Sequence, residues 1–155
     1  MNETWKNSTG SNFLLEDILG IIHKYPQAEI HIGTDSHYKS GQLIFATVIA
    51  LYSPGECSKY FFKRRLEKII KHSKKNLSTR LLKEVQNSID IASMLRESLG
   101  ESYDISVHAD ISSNSKNRSN IVHEPAKKWI MAMGFNCYMK PTAWASSSIA
   151  DLHAK

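Results

Sequence analysis

The amino-acid sequence predicts an α/β fold: one mixed five-stranded sheet with helices on both faces. Three observations carry this. Three β-prone segments come early, joined by short links that make hairpins. Two further β-prone segments each follow a helical segment, which makes them parallel returns. The order is therefore β-β-β-α-β-α-β-α with one helix ahead of it, and the spatial order 3-2-1-4-5, with the second strand antiparallel.

Each element has its own signal. Residues 1–11 are polar and are expected to be flexible. Over residues 12–24, Phe13, Leu14, Ile18, Leu19, Ile21 and Ile22 recur at helical spacing, and Tyr25-Pro26 ends the pattern. Ala28 to Asp35 reads as the first strand. Gln42 to Tyr52 is β-prone and apolar on both faces, as an interior strand should be. The link Lys39-Ser40-Gly41 pairs these two as a hairpin, and Ser53-Pro54-Gly55-Glu56 has Pro and Gly where a type II turn wants them. Cys57 to Arg64 is then a third antiparallel strand. Ser78 to Leu99 carries an apolar stripe, Leu81, Leu82, Val85, Ile89, Ala92, Leu95 and Leu99, and Gly100 ends it. Tyr103 to Ile111 is the fourth strand, Ile121 to Met133 a helix stopped by Gly134, and Phe135 to Met139 the fifth strand. Pro141-Thr142 introduces a last helix from Trp144 to about His153.

A chain of 155 residues, 41% hydrophobic and 23% charged, is expected to form a single domain over residues 1–155. No apolar run approaches the roughly 20 residues needed to span a bilayer, and Met1 to Lys6 has no signal-peptide apolar core. Cys57 and Cys137 match no metal-binding spacing and read as reduced thiols, so a cytoplasmic location is expected. The net charge of +5 is compatible with a nucleic-acid partner without requiring one. Lys63, Arg64, Arg65, Lys68, Lys71, Lys74, Lys75, Arg80 and Lys83 fall close together, offset only by Glu67. Such a run is either a solvated face or a surface for phosphates.

Four carboxylates sit where this order of elements can bring them together. Asp35 closes the first strand, and Asp110 closes the fourth. Glu84 lies about 100° around its helix from Val85, at the edge of the buried stripe. Asp151 lies in the last helix. Convergent carboxylates without thiols suit hard cations such as Mg²⁺ or Mn²⁺. A pair of such ions drives in-line cleavage of phosphodiesters. Each carboxylate taken alone reads equally as solvated surface; their joint placement is the signal. No serine has a nucleophile-elbow context.

Histidines and one loop add to the picture. His108 and Asp110 are two residues apart on a strand, so a mixed imidazole and carboxylate metal site is one reading and a hydrogen-bonded, half-buried His108 the other. His37 follows Asp35 by the same step, placed for proton transfer or a phosphate contact. His153 diverges from Asp151 on the helix. Asn117-Arg118-Ser119 precedes a helix, whose N-terminus can hold a phosphate with help from the Arg118 guanidinium; alternatively Ser119 only caps that helix and Arg118 is solvated.

The blocks Ile32-Gly33-Thr34-Asp35-Ser36, Val107-His108-Ala109-Asp110, Asn117-Arg118-Ser119, Lys140 to Ser146 and Ala150-Asp151, set in this order of elements, resemble the YkuK-type family of ribonuclease H-like proteins, from about Glu29 to the C-terminus. The resemblance implies that Asp35, Glu84, Asp110 and Asp151 are metal-binding and catalytic. Ser36, His37, Asn117, Arg118 and Ser119 are expected to face substrate. The expected function is a Mg²⁺- or Mn²⁺-dependent nuclease acting on RNA, DNA or a hybrid. The alternatives are an inactive nucleic-acid-binding or protein-interaction module on the same fold, and a metalloenzyme with another substrate.

Overall fold

A computed structural model describes residues 3–68 and 77–155. Its strands are β1 (Trp5–Asn7), β2 (Asn12–Phe13), β3 (Glu29–Lys39), β4 (Gln42–Ser53), β5 (Cys57–Lys68), β6 (Asp104–Ala109) and β7 (Asn136–Met139). Its α-helices are α1 (Leu15–His23), α2 (Leu77–Leu99), α3 (His123–Ala132) and α4 (Asp151–Ala154). A 3₁₀ turn, Arg118–Val122, leads into α3, and a π-helix, Ala145–Ala150, leads into α4.

The sheet has seven strands rather than five, in the order β2-β1-β5-β4-β3-β6-β7. The five expected strands keep their mutual neighbours; β1 and β2 extend the sheet beyond β5. β1 comes from the segment expected to be flexible and β2 from the start of the segment expected to be helical, where the helix begins only at Leu15. Lys6 and Asn7 pair with Phe62 and Phe61, and Trp5 is 1% exposed. One buried aromatic outweighs the polarity of its neighbours.

The hairpins form as the turn residues require. Ser40 and Gly41 both take positive φ, 51° and 75°, the geometry that lets a two-residue loop match the strand twist. β3 consequently runs on to Lys39, so Asp35 lies inside the strand rather than at its end. Its parallel partner stops sooner: the β3–β6 ladder runs from Glu29↔Asp104 to Gly33↔His108. Asp35 and Asp110 each lie two residues beyond that last pair and are level with one another. β4, apolar on both faces, is interior as expected.

Side chains alternate between two layers. Ile30 and Ile32 of β3, Ile49 and Leu51 of β4, and Ile105 and Val107 of β6 pack under α1, α2 and α3 in the larger core. The opposite face carries Val48, Ala50 and Ala150 with Tyr60, Phe62, Trp144 and Ile149. That smaller layer is thin because the π-helix comes very close. A Cβ placed on Gly33 would lie 2.6 Å from the Ser146 nitrogen and 2.7 Å from the Ala145 carbonyl carbon, both backbone atoms. Only glycine admits this approach. The last helix, expected to be regular from Trp144, takes π form where it crosses Gly33.

Candidate functional site

The four carboxylates arrive from four directions. β3 carries Asp35 and the chain leaving β6 carries Asp110, each two residues beyond the last pair of these neighbouring strands. α2 brings Glu84 from one face of the sheet. The π-helix and α4 bring Asp151 from the other. Asp35 is hydrogen-bonded to Asp151 and feels the charge of Asp110, while Glu84 feels Asp35 and Asp110. The structure thus sets Asp35 within electrostatic reach of Asp151, Asp110 and Glu84.

The electrostatics follow from crowding. Burial, then the hydrogen bond and charge of Asp151, push the Asp35 carboxyl up to about 7. Two carboxyl groups can hydrogen-bond only by sharing a proton, and Asp35 carries it. Burial alone would raise Asp151 as well, but hydrogen bonds from Lys155 and Asp35 outweigh that and hold it low. Lys155 Nζ lies 3.0 Å from Asp151 Oδ2. Glu84, 5% exposed, is raised well above the ordinary range, first by burial and then by Asp35. Asp110 Oδ1 is buried with no hydrogen-bond partner. An orphaned carboxylate oxygen is costly to bury, and a cation would satisfy it.

Around these groups lies a scaffold of hydroxyls and one guanidinium. Ser36 is buried; its Oγ donates to Glu84 Oε2 and accepts from Arg80 Nε at 2.8 Å. Arg80 Nη2 also donates to the Ser36 carbonyl at 3.2 Å, and its guanidinium lies 5.0 Å from the Tyr38 ring centroid. Ser36, expected to face substrate, instead positions Glu84. Thr34 Oγ1 sits 2.7 Å from Ser88 Oγ and 3.0 Å from Thr47 Oγ1, tying α2 to β3 and β4 one turn from Glu84. Arg80 was not singled out as a site residue, although its i,i+4 spacing to Glu84 was a legible signal; the two are 3.9 Å apart.

The other expected residues divide. His37 is exposed, on the same face of β3 as Asp35, and its charge acts on Asp151. His108 is 1% exposed and fully engaged. Its Nδ1 accepts from Ala145 N–H at 3.2 Å, and its Nε2 lies 2.9 Å from His31 Nδ1. Burial, then His31, lower it to about 3, so it is a neutral structural imidazole. His153 stacks on Phe62 at 3.6 Å between centroids and contacts the Tyr60 hydroxyl at 3.0 Å. Asn117 donates to Ser112 Oγ at 3.0 Å and Ser119 Oγ accepts from Ser112 N–H at 3.1 Å. Both brace the loop after Asp110, and Ser119 is not the helix cap; Arg118 is exposed at the start of the 3₁₀ turn.

Of the basic run, Lys71, Lys74 and Lys75 lie outside the described residues. Several others have acidic partners: Lys63 bonds Glu3, and Arg65 and Lys83 lie 3.3 Å and 3.1 Å from Glu67. Arg64 differs. It pairs with Ala46, which pairs with Asp35, so this exposed guanidinium shares Asp35's face two strands away.

A divalent cation fits the chemistry of this donor set: oxygen ligands only, one orphaned, two sharing a proton. Among the described residues, no three carboxylate, imidazole or thiol groups are already close enough to enclose an ion. Nor is any helix there long and apolar enough to cross a membrane. Neither of two cavities, about 380 and 170 Å³, is lined by the four carboxylates.

No curated protein matches the chain. A family model described as ribonuclease H-like matches residues 14–155, a span that includes all four carboxylates and the five strands β3 to β7 that position them. With that match and this fold, the chain belongs to the ribonuclease H-like family.

Proposed function

We propose that the chain is a divalent-metal-dependent nuclease that hydrolyses phosphodiester bonds of RNA, DNA or a hybrid. The observation that carries this is the approach of Asp110, Glu84 and Asp151 to Asp35, with one Asp110 oxygen buried and unpartnered. These residues would hold Mg²⁺ or Mn²⁺. Bound there, the ions would supply the positive charge that activates water and stabilises the leaving oxygen. The chain's own residues do the rest. Arg80 and Ser36 fix Glu84. His37 stands beside Asp151 at the solvent edge, placed to move a proton. Arg64 offers a phosphate contact on the same face, and Arg118 a second at the loop beyond Asp110. The sequence blocks resembling YkuK-type proteins narrow the kinship in the same direction.

One observation favours a second reading, a binding module without the reaction: among the described residues no three carboxylate, imidazole or thiol groups lie close enough to enclose an ion. A single set of samples separates the two. Mn²⁺ binding is followed by calorimetry, and Mg²⁺-dependent cleavage of single-stranded, duplex and hybrid oligonucleotides is followed across a salt titration. The nuclease reading expects Mn²⁺ uptake lost in Asp35→Asn, cleavage, and affinity falling steeply with salt. Binding without cleavage favours the module. Neither binding nor cleavage at low salt removes support from both.

A further inference from the structure

The face of the sheet that carries Asp35 is covered at one end only. Along β3, Glu29, His31, Gly33 and Asp35 point the same way. The π-helix lies on Gly33 and α4 beyond it, toward Asp35. Toward Glu29 the sheet is left open, and a cavity of about 380 Å³ forms there, with Glu29, His31 and Ala50 on its floor and Tyr60, Tyr138 and Trp144 among its walls. Six residues of strand, or ~20 Å, separate Glu29 from Asp35.

The polar floor has one proton arrangement. His108 Nδ1 accepts from the Ala145 backbone, so the neutral ring carries its proton on Nε2 and donates to His31 Nδ1. His31 must then donate from Nε2 to Glu29 Oε1, at 2.8 Å. The chain of donors ends on a half-exposed carboxylate, which keeps acceptor capacity after taking one proton from His31. The walls are held by the same imidazoles. Tyr138 stacks on His108 with centroids 4.6 Å apart and planes 3° apart, and Trp144 lies 4.7 Å from His31. An aromatic slot with a fixed carboxylate at its floor suits a flat ring with an edge of N–H donors.

We propose that this cavity takes one unpaired guanine base of a single-stranded nucleic acid, held between Tyr60, Tyr138 and Trp144 and read by Glu29. Guanine presents two adjacent N–H donors on its pairing edge, the complement of a carboxylate. In a duplex that edge is already used, so the base must be unpaired. Aromatic stacking supplies the base-independent part of the affinity. The chain's net charge of +5 accommodates the strand's backbone. The inference rests on the nucleic-acid reading above and narrows its substrate to a strand with an unpaired guanine.

The test uses the full chain with EDTA and two single-stranded oligonucleotides, oligothymidine with and without one central guanine. Binding is read by tryptophan fluorescence. Expected is at least tenfold tighter binding of the guanine strand, with the difference lost in Glu29→Gln. That variant keeps an acceptor for His31, so it should melt with the wild type. Tyr60→Leu should weaken both strands and keep their ratio. Cleavage of the guanine strand under Mg²⁺ should fall at a constant offset from the guanine. Equal affinity for both strands, or a preference that survives Glu29→Gln, overturns the pocket while leaving the nuclease reading intact, since salt-dependent binding and Mn²⁺ uptake are measured separately. Failure of both strands to bind at low salt overturns the two together.

Discussion

At the scale of single residues, the site stores unfavourable energy that a cation would relieve. Asp35 titrates near 7 because of burial and Asp151, whereas an aspartate in an unfolded chain titrates near ~3.9. Between those values the folded chain holds a proton that the unfolded chain has lost, so stability falls as pH rises from about 4 to about 7. Asp35→Asn removes this burden. With chelator present near neutral pH, that variant should be more stable by roughly 1–3 kcal/mol, raising Tm by several degrees, while its Mn²⁺ uptake disappears. A Tm at or below the wild type's would contradict the account. Because the ion must displace the shared proton, Mn²⁺ affinity should climb as pH rises toward about 7 and level off above it. Flat affinity across that range would remove Asp35 from the ligand set. His108 works in the opposite sense. Its folded value near 3 lies below the ordinary ~6.5, so the stability it contributes is present at neutral pH and is lost as pH falls through that window. Denaturant melts of His108→Gln should show a shallower loss between those limits than the wild type.

At the scale of elements, the π-helix is the piece on which the site turns, and its contact with Gly33 sets where Asp151 stands. Gly33→Ala would drive a methyl into the backbone of Ala145 and Ser146. The expected cost is about 1–3 kcal/mol, with Mn²⁺ affinity reduced because Asp151 shifts while Asp35, Glu84 and Asp110 stay in place. Wild-type affinity in that variant would mean that Asp151 is dispensable. The sequence showed that a helix belonged after Pro141-Thr142. It did not show the π form, because six residues, five of them Ala or Ser, carry too weak a period to separate one helical pitch from another. Asp35, Glu84, Asp110 and Asp151 were legible because the order of elements constrains where strand ends and crossover helices go. Arg80 was overlooked although its spacing to Glu84 was a local signal, whereas the Thr34, Thr47 and Ser88 cluster was not legible, since it forms by contacts between α2 and the sheet that no local pattern encodes. The N-terminal strands were missed for a related reason. Trp5 is buried by pairing with a strand more than fifty positions away, and its neighbours are polar. Trp5→Ala should cost about 3–5 kcal/mol in a denaturant melt, as for other large core truncations.

At the scale of the whole molecule, turn chemistry and link lengths made the central five strands readable, and the long-range pairing at the edge is what they could not reveal. That edge has a consequence for how the molecules behave toward one another. β5 is twelve residues long. Its outer side is protected in two ways. Where it is charged, at Lys63, Arg64 and Arg65, like charges on a second copy would keep the strands apart. Where it is aromatic, at Phe61 and Phe62, β1 occupies the backbone instead. The family match starts at residue 14, so the covering strands lie outside it. A shortened chain of residues 14–155 would present Phe61 and Phe62 as a template for a second molecule. Sedimentation should find it associating as concentration rises, while the full chain stays monomeric. On that expectation, a short arm at the front of the chain would set the concentration at which molecules begin to associate.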